Sequence, residues 1–480
     1  MNILFYVEPL IERDDPYWKE GWVSYWSNKL ASIISEFEEK SQSCIILSEA
    51  LSNISEFDSF NKFIILTQKE LTQNFLYNSE ELLSFWYREN APKSLSNYYK
   101  NLLKGKIDSF IPDIIITFTP IPFLKELYPK AKILYFEYSF ISRLPFYETW
   151  FLDPCGVYDY SYLNQYANYI KQYRLNEKEA FLLNKLKKTC KEVFLNNNPF
   201  KERVNKIKND YNKVILLPLQ FSRYYSFDCQ VKFKSQYEYM IYILDNLPEN
   251  IAVIITMHPQ HSEINKNAID FVRKKYSNVF IFDDIVDYDA CSQYFLPLVD
   301  TVITTTSSVG LQTLLFDNKL ITFGHAFDSI SDGNFYCFNK KVNYLCKIDK
   351  DKVLFFLLTK YAIGFNYLFN TEWLERYFKH IINTSNLVEF YKLIDNPEKI
   401  INYLCEILLK RKNDLPYKSS IKLKKIEREK KANELVSLRK QISEKNKEVE
   451  ILDRELESIK KSRGYRLLEI YYSLKSKILK

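Results

Sequence analysis

Three short segments of this chain end strand-like runs in residues that can hold an anion. KVILLPLQ closes with Gln220, His258 and Pro259 follow AVIITM, and TTTSSVG (304–310) follows DTVIT. Hydroxyls and a glycine at the carboxyl end of a strand, leading into a helix, offer a phosphate side-chain donors together with first-turn amides that have no partner inside the helix. Thr306, Ser307, Ser308 and Gly310 are therefore candidate phosphate-binding residues, with Gln220 beside them; a plain helix cap uses one serine and accounts for less of the run. His258 can donate to the same phosphate and, as imidazolium, stabilise the charge that builds on it as it departs. Its other reading is a histidine that ends a strand before a proline turn.

Two carboxylates complete a possible transfer chemistry. Asp228, eight residues past Gln220, can attack an anomeric carbon, or can simply cap a loop. Glu137 ends the run KILYFE and can act as general base on an acceptor hydroxyl. Asp153, in FLDPCGVY, is read as a turn former through Pro154 and Gly156. A departing phosphate, a nucleophilic carboxylate and a base together point to glycosyl transfer from a nucleotide sugar. The eight cysteines form no CxxC pair and no zinc-like spacing with histidine, so no metal and no disulfide framework is expected.

The elements that must position these residues come in two series. Apolar runs at 2–8, 44–48, 62–67, 113–118 and 132–137 alternate with helical stretches, and after a polar stretch at 195–213 a second series follows at 214–217, 251–256, 279–283, 300–304 and 319–323. Continuous apolar runs are what strands covered on both faces look like, so each series predicts a doubly wound parallel sheet. The fold class is α/β of the GT-B kind: two Rossmann-like domains facing a cleft, with a C-terminal helical coiled-coil tail. The expected divisions are 1–200 for the first, acceptor-binding domain, 201–412 for the nucleotide-sugar domain with closing helices, 413–462 for linker and coiled coil, and 463–480 for a basic amphipathic tail. Leu435, Ile442, Val449 and Leu456 with Leu438, Lys445, Leu452 and Ile459 form a heptad seam, apolar at seven of eight positions, which predicts a homo-oligomer. A lone amphipathic helix is its alternative.

The net positive charge lies in that tail. Residues 421–480 hold 18 Lys/Arg against 10 Asp/Glu, which leaves the other 420 residues at −1. A nucleic-acid enzyme would carry its basic residues on the catalytic body, so no nucleic-acid partner is expected. Residues 462–480 mix aromatics, leucines and basic residues in a way that suits an anionic membrane surface. The amino terminus lacks the pattern of a signal peptide and no apolar run reaches the roughly 18 residues of a membrane span. A cytoplasmic protein, peripheral on the inner membrane, is expected.

YFEYSFISRLPFYETWFLDPCGVYDY (135–160), LLPLQF, MHPQ and TTTSSVGLQTLLFDNKLITFGHAF resemble, in order and spacing, the capsule polysaccharide synthesis family of bacterial β-Kdo transferases. The resemblance covers about 135–327. It implies a GT-B enzyme that uses CMP-Kdo as donor, retains configuration and needs no cofactor or metal, with a polysaccharide or lipid-linked glycan as acceptor. It implies that Glu137 is the acidic motif's residue, His258 the His-Pro histidine, and Ser307 and Ser308 the serines on the donor phosphate, with Asp228 standing near the family's nucleophile. The acidic motif here reads Glu-Tyr-Ser, without the second acid and the glycine. A single module followed by a coiled coil looks like the members that cap O-antigen chains. Two alternatives keep the fold: a transferase for CMP-sialic acid or another nucleotide sugar, and a non-catalytic scaffold in a glycan-assembly complex.

Overall fold

The computed structural model describes residues 1–11, 17–72, 77–222, 224–258, 264–288, 290–335, 349–392 and 396–414, with Lys445 and Gly464 beyond them. Met1–Pro416 form one compact unit and Tyr417–Lys480 a second. The heptad seam (435–459) and the basic end (463–480) lie outside the described residues, Lys445 and Gly464 apart, and both of these stand in helix.

Two sheets organise the first unit. The first contains β1 (Asn2–Tyr6), β2 (Gln42–Ser48), β3 (Lys62–Leu66), β4 (Ile114–Thr117), β5 (Lys132–Tyr138) and β6 (Thr149–Asp153). The second contains β7 (Lys213–Pro218), β8 (Ile251–Thr256), β9 (Val279–Phe280), β10 (Thr301–Thr304), β11 (Lys319–Thr322) and β12 (Gly333–Asn334). A short β13 (Ile363–Gly364) returns to the first sheet, giving the orders β13-β6-β5-β4-β1-β2-β3 and β12-β11-β10-β7-β8-β9. In each sheet the first strand of the series sits between the second and the fourth, which is the Rossmann order, and helices fill the spaces between strands. The arrangement is GT-B.

Alternation along the strands divides the core. Ile3 and Phe5 face one buried cluster and Leu4 and Tyr6 another, and in the second sheet Val214 and Leu216 share the first cluster while Ile215 and Leu217 turn to a third. The cluster common to both sheets runs through the long helix Glu177–Leu195, whose Leu186, Cys190 and Phe194 are buried. Asn176 starts that helix with a capping box closed by Glu179.

One departure from a purely parallel first sheet concerns β6. It pairs antiparallel with β5, because only the ten residues 139–148 separate them and a parallel return needs a longer crossover. The stretch after 349, expected to close on both domains, does reach the first. β13 pairs with Trp150 of β6, Tyr391 Oη donates to the Leu152 carbonyl at 3.2 Å, and the helix Pro397–Lys410 lies along Glu177–Leu195 with an ion pair from Lys178 to Glu398 at 2.6 Å.

Asp153 ties these parts together. Its Oδ1 accepts from the amides of Cys155 (2.7 Å) and Gly156 (3.1 Å), and its Oδ2 from the Tyr162 amide (2.8 Å) and the Tyr361 hydroxyl (2.6 Å). Gly156 is required in this turn, since a Cβ there would come within 2.7 Å of Tyr160 Cβ. Burial raises the carboxyl to about 6 in spite of the four donors. Asp153→Ala leaves three amides and a phenol unsatisfied at a fully buried point, and a loss of about 3 kcal/mol or more is expected, read as a lowered midpoint in thermal or urea unfolding. An unchanged midpoint would show that the turn holds without it.

Candidate functional site

The site grows from the carboxyl edge of the second sheet. β7 and β10 are neighbours there, and their following helices leave on opposite sides, so a crevice opens between their ends. Gln220 spans it. Its Oε1 accepts from Thr305 Oγ1 at 2.8 Å and from the Thr306 amide at 3.3 Å, and its amide group and Thr306 Oγ1 lie 3.2 Å apart. Gln220 is itself held by Gln236, whose Oε1 accepts the Gln220 amide at 3.1 Å from the first turn of the helix Gln236–Asp245.

The carboxamide thereby fixes the segment that feeds the helix Ser308–Phe316. Ser307 caps that helix, its hydroxyl accepting from the Val309 amide, while Ser308 is exposed at the first position. Gly310 has a different place. It is buried, its amide donates to the Ser307 carbonyl at 2.8 Å, and a Cβ would meet Phe327 at 2.8 Å, so it supplies close packing beneath the helix start. An anion at this edge therefore meets Ser307, Ser308 and the positive end of the helix.

His258 stands at the end of β8, on the other side of β7. Its ring packs against Phe221 with centroids 4.2 Å apart, and it is half-buried. Along the edge, His258, Phe221, Gln220 and Thr306 thus form a continuous row across β8, β7 and β10.

Asp228 ends the short helix Tyr225–Asp228, which docks on the same row: Thr306 Oγ1 donates to the Ser226 carbonyl at 3.0 Å. The first domain grips this helix from above. Tyr87 stacks on Tyr225 with ring centroids 4.0 Å apart and planes within 8°, and the Arg88 guanidinium donates to the Asp228 carbonyl at 2.8 Å. Burial pushes the neighbouring Cys229 thiol up to about 12, so it is no rival nucleophile at neutral pH.

Glu137, at the end of β5, approaches from the first domain. Burial raises its carboxyl from 4.5 to about 7, against the Tyr138 amide, which donates to it at 2.9 Å, and the positive charge of Arg143. Burial first, then neighbouring phenols and the charge of Glu137, hold Tyr158 and Tyr225 well above the usual phenol range, so Glu137 stands within electrostatic reach of these two phenols. The structure therefore draws Gln220, Thr306, Ser307, Ser308, His258, Asp228 and Glu137 to one region, with Gly310 behind it. Sequence reasoning missed Tyr87, Arg88, Tyr225 and Gln236. Gln236 had a signal, a polar residue on the buried stripe of an amphipathic helix; the others act across domains and had none. Among the described residues no His, Cys, Asp and Glu group is placed to hold a metal ion, and no helix is long and apolar enough to cross a membrane.

Residues 156–332 match the family described as capsule polysaccharide biosynthesis protein, which bears out the resemblance drawn from the motifs of 135–327. Among solved structures, the β-Kdo 2,7 transferase KpsC of Thermosulfurimonas dismutans is 12% identical and covers 76% of this chain and 92% of its own, with a TM-score of 0.42. The β-Kdo 2,4 transferase KpsC of the same organism is 12% identical over 56% of this chain and 87% of its own, with a TM-score of 0.33. The calicheamicin glycosyltransferase CalG4 is 10% identical over 86% and 96%, with a TM-score of 0.29. No curated protein sequence matches the chain.

The raised carboxyl of Glu137 has two signatures. A base must be ionised, so activity should rise with pH through about 7 and lose that limb in Glu137→Gln. Because the folded-state value lies above the unfolded one, ionisation of Glu137 opposes folding. The melting temperature of the native protein should fall relative to Glu137→Gln as pH climbs from 4.5 to 7. Parallel pH profiles for the two proteins would remove Glu137 from the role.

Proposed function

We propose that this chain, whose residues 156–332 carry the capsule polysaccharide biosynthesis match, is a glycosyltransferase that moves Kdo from CMP-Kdo to a surface-polysaccharide or lipid-linked glycan, with retention of configuration. The observation that supports this most is the crevice between β7 and β10, bridged by Gln220, edged by a helix start and a histidine, and met by the short helix that ends in Asp228. Open α/β sheets bind nucleotides at such a point.

The donor phosphate rests on Ser307, Ser308 and the start of the helix Ser308–Phe316. The Asp228 carboxylate attacks the anomeric carbon as the bond to the phosphate oxygen breaks, and the electron pair passes to the departing CMP, which His258 stabilises as imidazolium. An acceptor hydroxyl then gives its proton to Glu137 and attacks the same carbon, and the ester to Asp228 breaks. Two inversions yield net retention. The heptad segment of the tail self-associates, and its basic end rests on anionic lipid; the seam and the local excess of charge support both.

Incubation of the full chain with CMP-Kdo and no acceptor, followed by intact mass spectrometry, should show an added mass of one Kdo that Asp228→Asn lacks. His258→Ala and Ser308→Ala should each lower transfer by about 10²-fold or more while melting normally. Native rates in both variants would overturn the reading, and an absent adduct with intact CMP-Kdo would point to another donor.

A further inference from the structure

The loop between β5 and β6 (139–148) follows directly on Glu137, and several of its backbone carbonyls are held from outside it. Gln312, one turn past Ser308 on the helix Ser308–Phe316, donates its Nε2 to the Phe140 carbonyl at 2.6 Å. Gln293, on the short helix Ser292–Phe295, donates to the Leu144 carbonyl. The two carboxamides lie side by side, with Gln312 Nε2 and Gln293 Oε1 3.5 Å apart. A third donor, the Arg411 guanidinium, reaches the Phe146 carbonyl at 2.6 Å. The second domain thus grips a first-domain loop through a pair of glutamines.

Both glutamines occupy positions where packing alone favours an apolar side chain. Gln312 is 3% exposed and Gln293 2%, and Val309, Leu314 and Leu315 are buried on the same helix as Gln312. Burying a carboxamide is costly unless its polar atoms are paired, and Gln312 Oε1 has no partner. What the loop carries supplies a reason for that cost. Arg143 stands on it, its guanidinium 4.6 Å from the ring centre of Tyr138, the residue after Glu137. Burial raises the Glu137 carboxyl to about 7, and the positive charge of Arg143 works against that rise. The Tyr138 amide and the phenols of Tyr158 and Tyr225 also face Glu137. Glu148, at the far end of the loop and raised by burial, feels the charges of Arg143 and Lys29.

We infer that Gln312 and Gln293 are positioning residues for Glu137: from the second domain they hold the loop that keeps Arg143 over Tyr138 and beside the carboxyl. Neither touches a reacting group. The helix Ser308–Phe316 then serves twice, with its start on the donor phosphate of the proposed mechanism and its next turn on the loop of the proposed base. The word base rests on the glycosyltransferase reading; the hold on Arg143 and Glu137 does not. Methionine at either position keeps the length and apolar bulk of the side chain and removes the donor.

Melting temperatures of the full chain test this without any substrate, each protein being scanned beside its own Glu137→Gln partner. In the native background the gap between the two should widen from pH 4.5 to about 7 and then stay constant. Arg143 lowers the folded-state value, so its loss raises that value and extends the range over which ionisation opposes folding. In Arg143→Ala the gap should therefore keep widening to a pH about one unit higher, a tenfold change in the acid constant. Gln312→Met and Gln293→Met should each displace it in the same direction by about half a unit or more. If Gln312→Met melts too early to scan, Gln293→Met carries the comparison. A merely structural link lowers both members of a pair alike and leaves the gap ending where it does in the native protein; that result, or an Arg143→Ala profile identical to the native one, refutes the proposal. Transfer from CMP-Kdo is the separate readout, and its rising limb should move with the melting gap. Displaced gaps in a protein that shows no transfer would sink the glycosyltransferase reading and leave the positioning of Glu137 standing.

Discussion

The carboxamide of Gln220 is the interaction on which the site depends. It bridges the ends of two paired strands whose helices depart in opposite directions, and so extends the link between the two halves of the second domain beyond the last backbone pair of the strands. A glutamine suits this position because it offers acceptor and donors in one plane, and the partners here are two hydroxyls and an amide. Fixing Thr305 and Thr306 fixes the angle at which the helix Ser308–Phe316 begins, and Thr306 in turn carries the helix of Asp228. The donors proposed for the phosphate and the candidate nucleophile therefore share one anchor.

Asp153 plays a comparable part for the first domain. It ends β6, shapes the turn through Gly156, and receives Tyr361 from the returning segment. Burying a carboxylate is costly, which its raised value of about 6 reflects, and four donors offset that cost. The result fixes the direction in which the chain leaves the sheet toward Tyr158 and Asn164. Both residues then meet elements of the second domain.

Much of this was legible in the sequence because local pattern and final environment agree. Each of the ten strands expected from a continuous apolar run is found, with ends shifted by a few residues at most, since a strand covered on both faces has little freedom in its composition. The residues at strand ends converge because the Rossmann order places those ends together. Gly310 shows the limit of motif reading: its spacing fits a phosphate loop, while the contact that requires it, Phe327, lies seventeen residues on. Tyr87, Arg88 and Tyr225 were illegible for a similar reason, as nothing in a local stretch of sequence announces a partner in another domain.

The stack of Tyr87 on Tyr225 has a consequence for how the molecule opens. Any rotation that separates the two domains must break this face-to-face pair and withdraw Arg88 from the Asp228 carbonyl, contacts worth about 1–3 kcal/mol together. Taken alone, a bias of that size would hold an open form to between roughly 15% and 1% of molecules, and the core shared by the two sheets lowers the figure further. Substrate entry would then draw on a minority population, and apparent affinity would be reduced by the same fraction. The aromatic pair thus works as one latch on the crevice, and because it seizes the very helix that ends in Asp228, the approach of the two domains and the position of that residue are coupled.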